Sequence, residues 1–295
     1  MKRVLFKGAG VAIVTPFTED GINFPVLGQM IEDQIAGGTD AIVITGTTGE
    51  SATMSDAEHK AAIKFAVEQV KKRVPVIAGT GSNETSYAVQ LSKYAESVGA
   101  DGLLLVTPYY NKCTQKGLIM HYTAIADSVN IPCILYSVPS RTGVTIKLET
   151  FVELSKHPNI VAVKAASGDL SAIAKIMAAC GDNLAVYSGN DDQIVPIMAL
   201  GGLGVISVLS NVAPQDTHNI CQYVLDGKLQ EAARLQLDYI DLIEALFCEV
   251  NPIPAKTAMR LLGYEAGLLR LPLCEMEPQN LEKLKKALQK HDLIK

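Results

Sequence analysis

The sequence predicts an α/β fold, a (β/α)8 barrel followed by a C-terminal helical appendage. Three observations carry that prediction. Short apolar runs recur eight times, with starts roughly 20 to 35 residues apart and amphipathic segments between them. The runs are almost continuously apolar, as parallel strands covered on both faces must be. The chain has 295 residues, 48% of them hydrophobic; an α/β barrel takes about 250.

Taken in order, the first strand is Gly10–Pro16, followed by a helix over Phe24–Ile35 that Gly37 and Gly38 end. The second strand is Asp40–Gly46. Its helix runs from Ser55 to Lys72, with Ser55 and Glu58 spaced as a capping box. The third strand, Val74–Gly79, precedes a helix over Glu84–Val98, and the fourth, Asp101–Pro108, precedes one over Gln115–Ser128. The fifth strand is Ile131–Tyr136 with a helix over Ile146–Lys156. The sixth is Asn159–Lys164 with a helix over Leu170–Cys180. The seventh is Leu184–Gly189, its helix ending at Leu200, and the eighth is Gly204–Ser210. Beyond it the pattern is helical only, over Pro214–Leu225, Leu229–Glu249, Ile253–Leu262 and Pro278–Gln289. These periodicities divide the chain into a catalytic barrel, residues 1–225, and a helical domain packed on it, residues 226–295. A doubly wound open sheet is the alternative, but neither Gly79-x-Gly81 nor Gly201-Gly202-x-Gly204 makes a dinucleotide fingerprint.

Composition narrows the function. A formal net charge of −5 without a basic run argues against nucleic acid or an anionic membrane surface as partner. Six scattered cysteines show no C-x-x-C spacing and no neighbouring histidines, which fits reduced thiols and neither a metal site nor a disulfide framework. The start, Met1 to Phe6, resembles a signal peptide, but Lys7 interrupts it and no cleavage pattern follows. No run of about 20 apolar residues occurs. A cytoplasmic protein is the expectation.

In a parallel barrel the strand ends at the carboxyl side form the active site. The second strand ends in Gly46-Thr47-Thr48-Gly49-Glu50-Ser51, the fourth in Pro108-Tyr109-Tyr110-Asn111, and the fifth in Tyr136-Ser137-Val138-Pro139-Ser140-Arg141-Thr142-Gly143. The sixth carries Lys164 and the seventh ends in Ser188-Gly189-Asn190-Asp191-Asp192. A lysine in an apolar strand either snorkels out or is held inside, where desolvation favours the neutral, nucleophilic amine. A Thr-Thr-Gly turn often only caps a helix, and Asp191 and Asp192 read best as caps of the helix that follows them. The convergence of an amine, phenols and hydroxyls on one rim favours chemistry. Lys164 supplies the nucleophile and Tyr136 exchanges protons with it. Thr47 and a second phenol extend the relay, Arg141 holds a carboxylate, and the Thr47-Thr48-Gly49 backbone takes another. A 2-oxo acid bound as a Schiff base follows, with no metal required.

The three motifs Gly46-Thr47-Thr48-Gly49-Glu50-Ser51, Tyr136-x-Val138-Pro139-Ser140-Arg141-Thr142-Gly143 and Val163-Lys164 resemble the dihydrodipicolinate synthase family of class I pyruvate aldolases, from about Gly8 to the C-terminus. The resemblance implies condensation of pyruvate with L-aspartate 4-semialdehyde to 4-hydroxy-tetrahydrodipicolinate, on the lysine and diaminopimelate route. It implies no cofactor beyond the pyruvate Schiff base on Lys164. Tyr136, Thr47 and Tyr110 would form the proton relay, with Tyr110 lent to a neighbouring subunit of a homotetramer built as a dimer of dimers. Thr48 would bind the pyruvate carboxylate, Arg141 the semialdehyde carboxylate, and Gly189 and Ile206 would line the pocket through their backbones. Ser51, Ala52, His59, Asn83 and Tyr109 match the family's lysine-feedback site. Asp56 stands there in place of a histidine and Tyr87 in place of a glutamate, so weak or absent lysine inhibition is expected. Ser137 and Ala165 replace a common asparagine and glutamate, and Ala165 should point away from the lumen. A sialic-acid or keto-deoxy sugar acid aldolase shares Lys164 and Tyr136 and is the nearest alternative. A catalytically silent metabolite-binding barrel is more distant.

Overall fold

The computed structural model describes residues 2–295. Eight strands close into one parallel barrel: β1 (Gly8–Ala12), β4 (Ala41–Ile44), β5 (Val76–Gly79), β6 (Gly102–Val106), β7 (Cys133–Ser137), β8 (Ile160–Ala165), β9 (Ala185–Ser188) and β10 (Gly204–Ser207). β1 pairs with both β4 and β10, which seals the ring. A two-stranded hairpin, β2 (Phe17–Thr18) and β3 (Gly21–Ile22), follows β1 and was not anticipated. The first strand also begins and ends earlier than predicted. Val14-Thr15-Pro16 continues the apolar run but has left the ladder: the Val14 N–H donates to the Asn211 side chain at 3.0 Å.

The helices around the ring are α1 (Phe24–Ala36), α2 (Asp56–Val70), α3 (Thr85–Ser97), α4 (Gln115–Asp127), the single turn α5 (Pro139–Thr142), α6 (Leu148–Leu154), α7 (Leu170–Cys180), α8 (Ile194–Ala199) and α9 (Pro214–Leu225). The capping box at α2 forms as its spacing predicted: Ser55 Oγ accepts from the Glu58 N–H at 3.2 Å, and Glu58 accepts from the Ser55 N–H at 2.9 Å. Four more helices follow, α10 (Leu229–Asp238), α11 (Ile240–Leu246), α12 (Ile253–Leu261) and α13 (Pro278–Lys290). The single helix predicted over Leu229–Glu249 is therefore interrupted at Tyr239 and ends at Leu246. Tyr239 is held by groups remote in sequence: its hydroxyl donates to Asp216 at 2.5 Å and its ring stacks on His291.

Two apolar layers follow from the two-residue strand period. The lumen takes Val43, Ile77, Leu104, Ile134, Tyr136, Ala162 and Ile206. Residues of opposite parity, among them Ile42, Ile44, Leu103, Leu105, Val163 and Ala165, pack outward under the helices. Phe6, just ahead of β1, stacks on Tyr187 with ring centroids 4.4 Å apart and accepts its hydroxyl proton at 2.6 Å, filling the amino-terminal end of the lumen. The opposite end is left to polar side chains.

Candidate active site

Strand pairing places the two central groups. Tyr136 on β7 and Lys164 on β8 are in-register partners, so both side chains enter the lumen at one level. Both are buried, and Lys164 Nζ lies 4.4 Å from the centre of the Tyr136 ring. Among the described residues no carboxylate lies within ion-pairing distance of Lys164. Ala165, one residue on, faces the outer layer, as parity requires.

A cavity of about 200 Å³ opens over this pair, lined in part by Thr48, Tyr136, Arg141, Lys164, Gly189 and Asn251. Gly189 is there because nothing larger fits: a Cβ would come within 2.7 Å of the Ala166 methyl and 3.0 Å of the Ala165 carbonyl oxygen. Thr48 Oγ1 accepts from Asn251 Nδ2 at 3.0 Å, and Arg141 Nη2 donates to the Asn251 carbonyl at 2.8 Å. Asn251 lies between α11 and α12, in a segment that the sequence marked only as a separator. Its single visible signal is the Asn251-Pro252-Ile253-Pro254 punctuation.

The turn after β4 is bracketed by two left-handed residues other than glycine, Thr45 and Glu50, both at φ 55°. Gly49 and Glu50 donate back to Gly46 and Thr47, closing the turn. Among the described residues the Thr47 and Thr48 N–H groups enter no backbone hydrogen bond. Two unspent amides in a closed turn suit an anion. Thr47 and Tyr136 share a small space of about 40 Å³ beside the main cavity. A second cavity, about 410 Å³, lies on the far side of Thr47 and Arg141, with Ser51, Ala52, His59 and Tyr109 in its wall. Asn83 is absent from that wall; its carbonyl accepts from Asn111. Burial lowers the proton affinity of the His59 ring, whose Nε2 sits 2.8 Å from the Gly79 carbonyl.

Two of the sequence-predicted residues lie elsewhere. Tyr110 is 92% exposed and takes a left-handed φ of 67°. Ile206 is fully buried in the lumen wall, and Val208 borders the cavity at that strand end. Asp191 corrects another expectation. It does not cap the helix after β9. Its Oδ2 accepts from the Val208 and Leu209 N–H groups at 3.0 and 2.9 Å, tying the β9 and β10 loops together. Burial pushes its carboxyl above the usual range, against the pull of those donors.

Fold and site together define a class: a parallel β/α barrel with a lysine and a tyrosine side by side inside its carboxyl mouth, the layout that a Schiff-base aldolase requires. Comparison with known sequences narrows it. The dihydrodipicolinate synthetase family profile matches residues 5–291, and the chain belongs to that family. It is 56% identical over 291 residues to a 4-hydroxy-tetrahydrodipicolinate synthase of Clostridium perfringens, covering 99% of this chain and 100% of that one. It is 54% identical over 294 residues to the enzyme of the same name from Acetivibrio thermocellus, covering 100% of each. Among solved structures, dihydrodipicolinate synthase from Aquifex aeolicus superposes with a TM-score of 0.95 at 45% identity, over 98% of this chain and 99% of that one.

Proposed function

We propose that the protein condenses pyruvate with L-aspartate 4-semialdehyde to 4-hydroxy-tetrahydrodipicolinate, the lyase reaction (EC 4.3.3.7) of lysine and diaminopimelate biosynthesis. The observation that carries the reading is the in-register Tyr136–Lys164 pair under one cavity, in a chain of this family. The amine of Lys164 attacks the keto carbon of pyruvate and water leaves, giving an iminium. Loss of a methyl proton yields an enamine, whose carbon attacks the aldehyde of the semialdehyde and regenerates the iminium; the semialdehyde's own amino group then adds to the iminium carbon, closes the ring and expels the Lys164 amine. Tyr136, relayed through Thr47, moves the protons at the nitrogen and the departing oxygen. The Thr47 and Thr48 amides hold the pyruvate carboxylate, and Arg141 holds that of the semialdehyde. The iminium supplies the electron sink, so the reading calls for no metal or organic cofactor.

Turnover tests it directly. The protein should consume pyruvate and aspartate 4-semialdehyde together and leave sialic acid intact. Cleavage of sialic acid without condensation would move it to the sugar-acid aldolases, and neither activity would leave a silent barrel. Arg141→Ala should raise the KM for the semialdehyde roughly 10- to 100-fold, the worth of charged hydrogen bonds, with the pyruvate KM little changed. Steady-state kinetics with each substrate varied in turn measures this.

The exposed, left-handed Tyr110 supports an oligomer in which that phenol completes a neighbour's relay, within a homotetramer. Among the described residues no helix is long and apolar enough to cross a membrane, and a cytoplasmic location is part of the proposal. Lysine should inhibit weakly or not at all. Tyr87, in the wall of the second cavity, presents a phenol there and no carboxylate. Rates measured across a lysine titration check this, and strong inhibition below about millimolar lysine, a binding free energy past roughly −4 kcal/mol, would contradict it.

A further inference from the structure

Behind the Gly46–Gly49 turn lies a charged cluster that the chemistry above does not use. Glu50 and Lys256 have fully buried side chains and meet at 2.7 Å. They are 206 residues apart in sequence, one closing the turn and the other on α12. Glu50 spends its second oxygen on the Arg270 N–H at 3.2 Å. Lys256 spends a second proton on the Leu268 carbonyl at 2.9 Å, and its nitrogen lies 4.3 Å from the centre of the Phe17 ring. Arg270 stacks on the same ring and donates to Thr53, just past the turn, and to Glu58 at the start of α2. Burial lowers the proton affinity of Lys256, and the Glu50 carboxylate opposes this.

A buried ion pair is a poor source of net stability, since its desolvation offsets its attraction and an apolar pair of similar volume often does as well. Geometry is what it supplies. Glu50 is held in the left-handed region that a non-glycine residue avoids, and such strain persists only where surrounding contacts over-determine it. The contacts that hold Glu50's carboxylate come from the C-terminal segment: Lys256, which is itself fixed by the Leu268 carbonyl, and the Arg270 N–H. That segment also supplies Asn251, which fixes the Thr48 hydroxyl.

We propose that Glu50 and Lys256 are positioning residues for pyruvate: the C-terminal segment sets the turn that carries Thr47 and Thr48, through an ion pair that never touches substrate. This rests on the reading of that turn as the pyruvate carboxylate site. It assigns to the helices after the barrel a part in donor binding.

The test separates positioning from stability. Lys256→Met alone leaves a buried carboxylate unpaired and should unfold at lower temperature or fail to fold. Glu50→Gln/Lys256→Met removes both charges and should recover most of the melting temperature. Its half-saturating pyruvate, read from the rate of borohydride labelling of Lys164, should nonetheless stay raised roughly tenfold or more, as a small misplacement of a binding group demands. Glu50→Asp keeps both charges on a shorter arm and should fold while showing the same direction of change. Wild-type pyruvate dependence in either of these two variants overturns the proposal. Amide exchange at Gly49 and Glu50, whose N–H groups close the turn onto Gly46 and Thr47, reads the turn without any chemistry: it should accelerate in the double variant, and unchanged exchange also overturns the proposal. Failure of the wild-type protein to label with pyruvate counts against the aldolase reading, while the exchange comparison still decides the clamp.

Discussion

Lys164→Met is expected to abolish pyruvate-dependent borohydride labelling and to lower turnover by at least about 10⁴-fold, the scale on which loss of a covalent nucleophile is felt. The substitution suits the site. Methionine has nearly the length of lysine and fills the space above the Tyr136 ring, so the cavity changes little in shape. The same variant should be as stable as the parent or more so. Lys164 is 5% exposed and no carboxylate lies within ion-pairing distance of it, so its polar end is buried with little return in stability, a burden that methionine removes. A thermal melt beside the labelling experiment reads both halves. Lost labelling with an unchanged or raised midpoint is the signature of a residue kept for chemistry at a cost in stability. Labelling that survives in Lys164→Met would place the amine elsewhere and remove the basis of the mechanism.

Tyr136→Phe should lower kcat by roughly 10²- to 10³-fold while the pyruvate KM moves little, the range typical of a lost acid–base group. The ring of Tyr136 packs among Ile134, Val138 and Ala162, and phenylalanine keeps those contacts and the face presented to Lys164. Only the hydroxyl is lost. Single-turnover labelling distinguishes the step affected: slow iminium formation at saturating pyruvate assigns the hydroxyl to proton exchange at the nitrogen. A kcat within about threefold of the parent, under 1 kcal/mol of barrier, would give the relay to another group.

The barrel was legible because its strands are buried on both faces, and near-continuous runs such as Ile42-Val43-Ile44 and Leu103-Leu104-Leu105 carry that signal without reference to anything distant. The first strand was misplaced for the converse reason. Gly8-Ala9-Gly10 is weakly strand-forming by propensity, and only pairing with β4 and β10 at once selects it over Ile13-Val14. The placement of the candidate residues was equally local: strand ends carry Tyr136 and Lys164, and the pairing of β7 with β8 brings them together. What escaped was held by remote partners. Asp191 reads as a cap because the N–H groups that donate to it stand 17 and 18 residues away, past another strand. Asn251 and Lys256 reach Thr48 and Glu50 across more than 200 residues. Tyr239 ends a helix through contacts with Asp216 and His291, neither of which any local period marks.

The pairing of β7 with β8 has a bearing on how this sequence can change. The rung beyond Tyr136–Lys164 joins Ser137 to Ala165. At those positions the family resemblance implies an amide and a carboxylate, where this chain has a hydroxyl and a methyl. Both are buried, and Ala165 lies on the outward parity, clear of substrate. A carboxylate restored at 165 alone would enter a dry layer opposite a single hydroxyl, whereas the amide and acid together could satisfy one another. A polar group placed at either position on the outer face of the rung therefore needs its partner from the other, while the inner face, one residue away, holds Tyr136 and Lys164.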